Sequence, residues 1–426
     1  MIDVPRWVGF DRAHLWHPYT QHAIAPPAVP IARASGAYLY DGDGRAILDA
    51  ISSWWVTLHG HAHPAIAEAV GRQAETLEQV IFAGFTHEPA ARLAAELVER
   101  LPGGLNRIFF SDNGSTAVEV AIKMALQYWQ NRGERRSLIA ALDHAYHGDT
   151  FGAMSASAPS LFTAPFERQL FEVARLGDPC DDPVARLAEL IERRGTELAA
   201  VIVEPMLLGA GGMLMWSGDT LLRIRELTAR HDVLLIADEV LTGFGRTGPL
   251  FACGGANVVP DLMCLSKGLT GGFLPLGATA ATDAVFETFL DADRRRTLFH
   301  GHSFTANPLA CAAARASLRL LDAECEGRRR TIEAAHRRRL GRLDGHPRVA
   351  RPRVIGTVAA VDLTGGGSYL DPIGPQLAAF ALASGVLLRP LGNVVYVLPP
   401  YCVTDEDLDR IYEVIVRFLE RAPIRA

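Results

Sequence analysis

At 426 residues, 49% hydrophobic and 21% charged, the chain is long enough for two or three domains around a sizeable core. A formal net charge of −6 argues against nucleic acid as the main partner. The longest weakly polar stretch, residues 268–282, is broken by Gly and Pro and falls short of the roughly 20 apolar residues a membrane helix needs, so no membrane partner is expected.

Residues 1–63 are rich in Pro, Gly and aromatics, with strand-like AYLYDGDGRAILDA bent at Asp41–Gly44. The opening decapeptide MIDVPRWVGF carries an acid and a proline and no long apolar run, unlike a secretory signal. Helical periodicity predicts helices over 64–80 and 88–101, then a short strand at RIFF and a helix from about 116 to 131. Further strands are expected at 137–142, 199–205, 233–240 and 262–266, separated by helix-like segments such as 184–194 and 218–231. Short apolar strands alternating with helices predict an α/β fold, with a mostly parallel sheet covered on both faces. In such sheets ligands collect at the carboxyl ends of the strands.

A helix from Pro308 to about Glu324 is expected to lead out of this unit. The basic runs 328–330 and 337–339 flank a helix-like segment and read as a solvated face. Strand-like GTVAAVDL and NVVYVLPP precede a closing helix whose capping box is Thr404 and Asp407, with Leu408, Ile411, Ile415 and Leu419 as its apolar stripe. The expected plan is a large domain over 64–325 and a smaller α+β domain built from 1–63 and 326–426. Six cysteines (180, 253, 264, 311, 325, 402) show no CxxC spacing and read as the reduced thiols of a cytoplasmic protein.

Three features carry chemistry. In FSDNGSTAVEVAIKMA a strand ends, an Asn–Gly turn follows, and a helix opens with Thr116 and Glu119 as the expected capping box. Backbone N–H groups at Gly114, Ser115 and Thr116 would suit a phosphate. In LLIADEV, Asp238 and Glu239 end an apolar strand and must point to opposite faces. In CLSKGLTGG, Lys267 stands among small and apolar residues, where an ammonium is costly. Taken singly, each has a plainer reading: an ordinary capped helix, a strand-end carboxylate, a buried lysine with a partner. Together they suit pyridoxal 5′-phosphate, which needs a phosphate cradle, a carboxylate beside its pyridine nitrogen and a lysine for its aldehyde. Tyr146 in DHAYHGDT could stack on the ring, with His147 and Asp149 close by. His59, His61 and His63 alternate in HGHAHP without paired acids or cysteines, so no metal site is expected.

LLIADEVLTGFGRTG, CLSKGLTGG, DNGSTAVEVAIKMA, YHGDTFGAMS and HGHSFTANPLACAAA together resemble the class-III aminotransferases of the fold-type-I pyridoxal-phosphate enzymes. LWHPYTQ (15–21), SSWWVTLHGHAHP (52–64) and GVLLRPLGNVVYVLPPY (385–401) resemble more narrowly the members of biotin biosynthesis that move the amino group of S-adenosylmethionine to 8-amino-7-oxononanoate. This resemblance implies a homodimer with Lys267 bonded to the cofactor, Asp238 at the pyridine nitrogen and Tyr146 on the ring. Gly114 and Ser115 would hold the phosphate, joined by Ser303 of the neighbouring subunit, and Glu204 would support the site through hydrogen bonds. Tyr19, Trp54, Trp55, Tyr146, Lys267 and Gly301 would line the substrate pocket, Arg389 would clamp a carboxylate, and Tyr396 would contact substrate. HGHSF departs from the family in placing His302 before Ser303. Residues 152–183 receive no role. Other readings left open are a class-III ω-aminotransferase, a synthase using lysine as donor, and a cofactor-free scaffold.

Overall fold

Mostly apolar runs of three to seven residues build a seven-stranded sheet. Its spatial order is Leu105–Ser111, Gly277–Thr282, Leu262–Leu265, Leu234–Asp238, Leu198–Val203, Leu138–Ala141 and Val173–Arg175. The computed structural model describes residues 6–421, so the first half of the opening decapeptide lies outside the described residues, as do 422–426. Gly277–Thr282 runs antiparallel to both its neighbours, and the remaining pairings are parallel. Alternation explains the double cover. Leu235, Ala237, Met263 and Leu265 enter one core cluster. Leu234, Ile236, Leu262 and Cys264 enter another, packed on the helix Gly114–Asn131. The expected strand 199–205 ends at Val203, just before Pro205, which has no N–H to continue a ladder.

The chain ends meet in a second sheet, where Val386–Leu387 pairs in parallel with Ala46–Asp49. A third sheet holds Val349–Ile355, Val358–Leu363 and Val394–Val397. The closing helix Asp405–Leu419 has the expected Thr404–Asp407 capping box and buries Leu408, Ile411, Ile415 and Leu419. It packs on a helix that runs from Pro308 to Leu340, well past the expected end near 324. The expected domain boundary at 325/326 therefore falls inside this helix.

The basic runs in that helix are the solvated face expected of them only in part: Arg328, Arg330, Arg337 and Arg338 are exposed, and one arginine of each run turns inward. Arg329 and Arg339 are buried. Arg329 donates to the Gly248 carbonyl at 3.1 Å, and Arg339 pairs with Asp409 at 2.9 Å and Asp405 at 3.1 Å. A distant loop carbonyl for Arg329, and acids on a distant helix for Arg339, gave these arginines places that local charge counting could not see. Among the described residues no helix is long and apolar enough to cross a membrane.

Candidate active site

The carboxyl ends of the parallel strands open into one cavity of about 680 Å³. Asn113, Gly114 and Ser115 line it after one strand, Tyr146 to Thr150 after a second, Glu204 after a third, Asp238 at the end of a fourth, and Ser266 and Lys267 after a fifth. The structure brings Gly114, Ser115, Tyr146, Glu204, Asp238 and Lys267 together on one rim. Trp55 closes a further side.

Lys267 sits at φ +41, a left-handed backbone that a branched side chain seldom adopts. Among the described residues no carboxylate lies within ion-pair distance of its amine, which instead stands 4.5 Å over the Trp55 ring. Burial pulls its pKa down from 10.5 to about 8, against the upward pull of the Asp238 and Glu204 charges. A lysine so placed is a good nucleophile near neutral pH.

Asp238 and Glu239 divide as the alternation requires. Glu239 turns away and is held by Ala252 N at 2.9 Å, Cys253 N at 2.8 Å and the Thr242 hydroxyl at 3.0 Å. Asp238 turns into the cavity, where its Oδ2 meets His147 Nδ1 at 2.7 Å and its Oδ1 accepts from Val240 N at 3.1 Å. A carboxylate only accepts, so His147 Nδ1 carries the hydrogen. Among the described residues the ring's other nitrogen, which is buried, has no hydrogen-bond partner. His147 is the main residue the sequence left without a role; its neighbourhood was legible, its partner ninety residues away was not. Glu204 accepts from Tyr146 N and Gly209 N, each at 3.0 Å, so it fixes the loop that carries the aromatic ring. Burial pushes its pKa up to about 7, with Asp238 adding to the rise and His147 opposing it.

The helix opening differs from expectation. Its N-cap is Asn113, whose side chain accepts from Thr116 N at 3.0 Å while the Thr116 hydroxyl accepts from Asn113 N at 3.1 Å. Glu119 is no part of the cap: it accepts from Gly152 N at 2.6 Å and Ala153 N at 3.0 Å. Asparagine serves as N-cap as well as serine or aspartate, which moved the true helix start two residues upstream. Thr116 N is thereby used, and Gly114 N and Ser115 N are left for an anion at the positive end of an 18-residue helix.

The donor set fits pyridoxal phosphate: a helix N-terminus, a carboxylate held by histidine, and a lysine of lowered pKa, all lining one cavity. Gly148 is part of the cradle, because at φ +131 a Cβ there would lie 2.2 Å from Ser115 Oγ and 2.8 Å from its Cα. We expect Gly148→Ala to weaken pyridoxal-phosphate binding at least about tenfold, read by absorbance titration of the cofactor-free protein.

The mouth is aromatic. Trp55 is buried and donates to the Tyr396 hydroxyl at 3.0 Å, so Tyr396 reaches the site through Trp55. Trp54 is exposed, with the Tyr19 ring 5.5 Å away and the Arg389 guanidinium 4.5 Å over its face. Among the described residues Arg389 has no carboxylate partner, which leaves its fork available. Tyr19 bonds to Asp149 and lies 3.3 Å from the Tyr146 hydroxyl. Burial first, then Asp149, raises the Tyr19 pKa to about 12, and burial raises that of Tyr146 further. The turn carrying both tryptophans has positive φ at Ser52, Ser53 and Trp55, each costing on the order of 1–3 kcal/mol.

Gly301 and Ser303 lie elsewhere, on an exposed loop that does not line this cavity; the Ser303 carbonyl accepts from Gln79 at 2.7 Å. Of the three histidines of HGHAHP, His59 and His63 stay in edge contact with ring centroids 6.1 Å apart, and His61 goes elsewhere. His59 meets Ser317 at 3.0 Å and burial pulls its pKa down to about 3, while His61 meets Asp49 at 2.8 Å. Among the described residues no three potential ligands gather as a metal site would need.

Comparison with known proteins agrees with this geometry. Residues 19–419 match the family described as aminotransferase class-III. An adenosylmethionine-8-amino-7-oxononanoate aminotransferase of Synechococcus elongatus is 54% identical, over 96% of this chain and 98% of its own. The crystal structure of an enzyme of the same name from Methanocaldococcus jannaschii superposes with a TM-score of 0.92 at 34% identity, over 96% of this chain and 98% of that one. An amine transaminase from an uncultivated Pseudomonas species, solved with pyridoxal phosphate bound, gives 0.88 at 31% identity, over 95% and 98%. A match that omits only the extreme ends, made around a site built for this cofactor, leaves one conclusion: the chain belongs to the class-III aminotransferase family.

Proposed function

We propose that the chain transfers the α-amino group of S-adenosylmethionine to 8-amino-7-oxononanoate, yielding 7,8-diaminononanoate for biotin biosynthesis, with pyridoxal phosphate as cofactor. The observation that carries the chemistry is the buried Lys267 amine of lowered pKa facing the same cavity as Asp238 and the helix N-terminus at Gly114 and Ser115. The choice of substrates is supported by the relative of 54% identity.

The bound cofactor supplies an electron sink and a temporary amine carrier. The chain supplies the rest. Gly114 N and Ser115 N would hold the phosphate, and Tyr146 would cover the ring. Asp238, fixed by His147, holds a proton at the pyridine nitrogen and places its negative charge before the reaction needs it. Lys267 Nζ would take a proton from the substrate α-carbon and deliver it to the cofactor carbon that had borne the aldehyde.

The mouth must accept two unlike substrates in turn. Trp54 and Trp55 offer apolar faces to an alkyl chain, and aromatic faces also attract a sulfonium. Arg389 receives whichever carboxylate arrives. The exposed position of Gly301 and Ser303 supports a homodimer in which that loop completes a partner's phosphate site. The scattered free thiols support a cytoplasmic setting.

Single-turnover spectroscopy tests the substrates. S-adenosylmethionine should bleach the visible band of the holoenzyme, and 8-amino-7-oxononanoate should restore it. Bleaching by lysine and not by S-adenosylmethionine would assign a different donor.

A further inference from the structure

The HGHAHP motif has no part in the reaction above, yet its middle histidine reaches the buried carboxylate beneath the aromatic mouth. Asp49 is fully buried, and its side chain gathers four hydrogen bonds. Ile51 N donates to Oδ1 at 3.1 Å; Ser53 N at 2.6 Å, the Ser53 hydroxyl at 3.3 Å and His61 Nε2 at 2.8 Å converge on Oδ2. Because a carboxylate only accepts, His61 Nε2 carries the hydrogen. The histidine itself is anchored: His61 N donates to Gly36 O at 2.7 Å, and Gly36 N returns a bond to His61 O at 3.2 Å. Its side chain is 12% exposed and that of Asp49 is 0%.

What Asp49 grips is the turn that aims the two tryptophans. Ser53 has φ 59 and ψ −81, a conformation few non-glycine residues hold. Ser52 before it and Trp55 two residues after it are also unusual, with φ 52 and φ 70. A turn of this kind persists only when its surroundings over-determine it. Arg246 grips the far end, donating to the carbonyls of Trp55 at 3.5 Å and Thr57 at 3.3 Å, and its charge also faces Asp49. At the near end the Ser52 hydroxyl donates to Leu398 O at 2.8 Å, and Asp49 holds the amides of Ile51 and Ser53 on either side of it; Asp49 in turn is oriented by His61.

We propose that Asp49 and His61 form a positioning pair that sets the Trp54–Trp55 wall and, through it, the fit of the amino acceptor's alkyl chain. Neither residue of the pair lines the cavity. This proposal rests on the aminotransferase reading for its kinetic consequence, but not for its structural one.

The test compares His61→Phe, which keeps bulk and loses the donor, with His61→Gln, which keeps a donor. His61→Phe should raise KM for 8-amino-7-oxononanoate about tenfold, with kcat changed less than about twofold. It should also alter the near-ultraviolet circular dichroism of the cofactor-free protein, where the tryptophans report directly. His61→Gln should bring KM within about twofold of the parent and restore the spectrum. Wild-type KM and spectrum in His61→Phe, or equal damage in both variants, would overturn the pair's role. Should His61→Phe fail to fold, hydrogen exchange on the wild-type holoenzyme decides. Slow exchange at the Ser53 amide supports the pair, and exchange as fast as an exposed loop refutes it. A parent enzyme without transaminase activity, beside the expected spectral change, would defeat the aminotransferase reading and leave the pair standing.

Discussion

Replacing Lys267 with Ala is expected to lower turnover at least about ten-thousandfold, because it removes both the covalent anchor and the proton carrier. Steady-state assay of variant protein reconstituted with cofactor measures this, and normal turnover would overturn the assignment of Lys267. A second, physical signature comes from the cofactor-free protein. The Lys267 pKa is lowered from 10.5 to about 8 by burial. Below about pH 8 the amine is charged in both folded and unfolded chains, so the cost of enclosing that charge is fully present. Between about 8 and 10.5 the folded chain has shed the proton and the unfolded chain still holds it. The unfolded state then binds more protons, and stability rises with pH. Lys267→Met, free of that cost, should be more stable than the parent below pH 8, and the gap should close as pH approaches 10.5. Denaturant titrations of the two cofactor-free proteins across this range check it; a constant gap would mean the amine is not enclosed.

The next largest effect is expected at Asp238. Asp238→Asn keeps the shape and loses the charge, and the amide cannot keep a proton on a pyridine nitrogen. We expect kcat/KM to fall roughly a hundred- to a thousandfold, the loss seen when one preorganised electrostatic contact is removed. His147→Ala is expected to do less, since the carboxylate remains and only its aim is lost. An Asp238→Asn enzyme within threefold of the parent would remove the charge from the mechanism.

The sequence made the sheet and its rim legible because those features are local. A continuous apolar strand followed by an acid, or by a lysine and glycines, announces both the strand and what stands at its end. The Thr404–Asp407 cap was legible for the same reason. What escaped was long-range. The bond between His147 and Asp238 spans ninety-one positions, and that between Tyr19 and Asp149 one hundred and thirty. Neither leaves a pattern within a turn or a strand. The buried Arg329 and Arg339 looked solvated because their partners sit in other elements. The start of the phosphate-side helix was misplaced because two capping arrangements competed within a few residues, and Asn113 won.

The reversed strand Gly277–Thr282 has a consequence for the lysine. A parallel neighbour would need a long crossover; the reversal lets residues 266–276 form a short loop with both stems in one sheet, and the Ser266 hydroxyl bridges to the Leu276 carbonyl at 2.7 Å. The amine therefore rides on a closed ring of backbone whose far side, Phe273 to Leu276, also walls the cavity. Lengthening that ring by a residue would move nucleophile and wall together, so neither can be redesigned without disturbing the other.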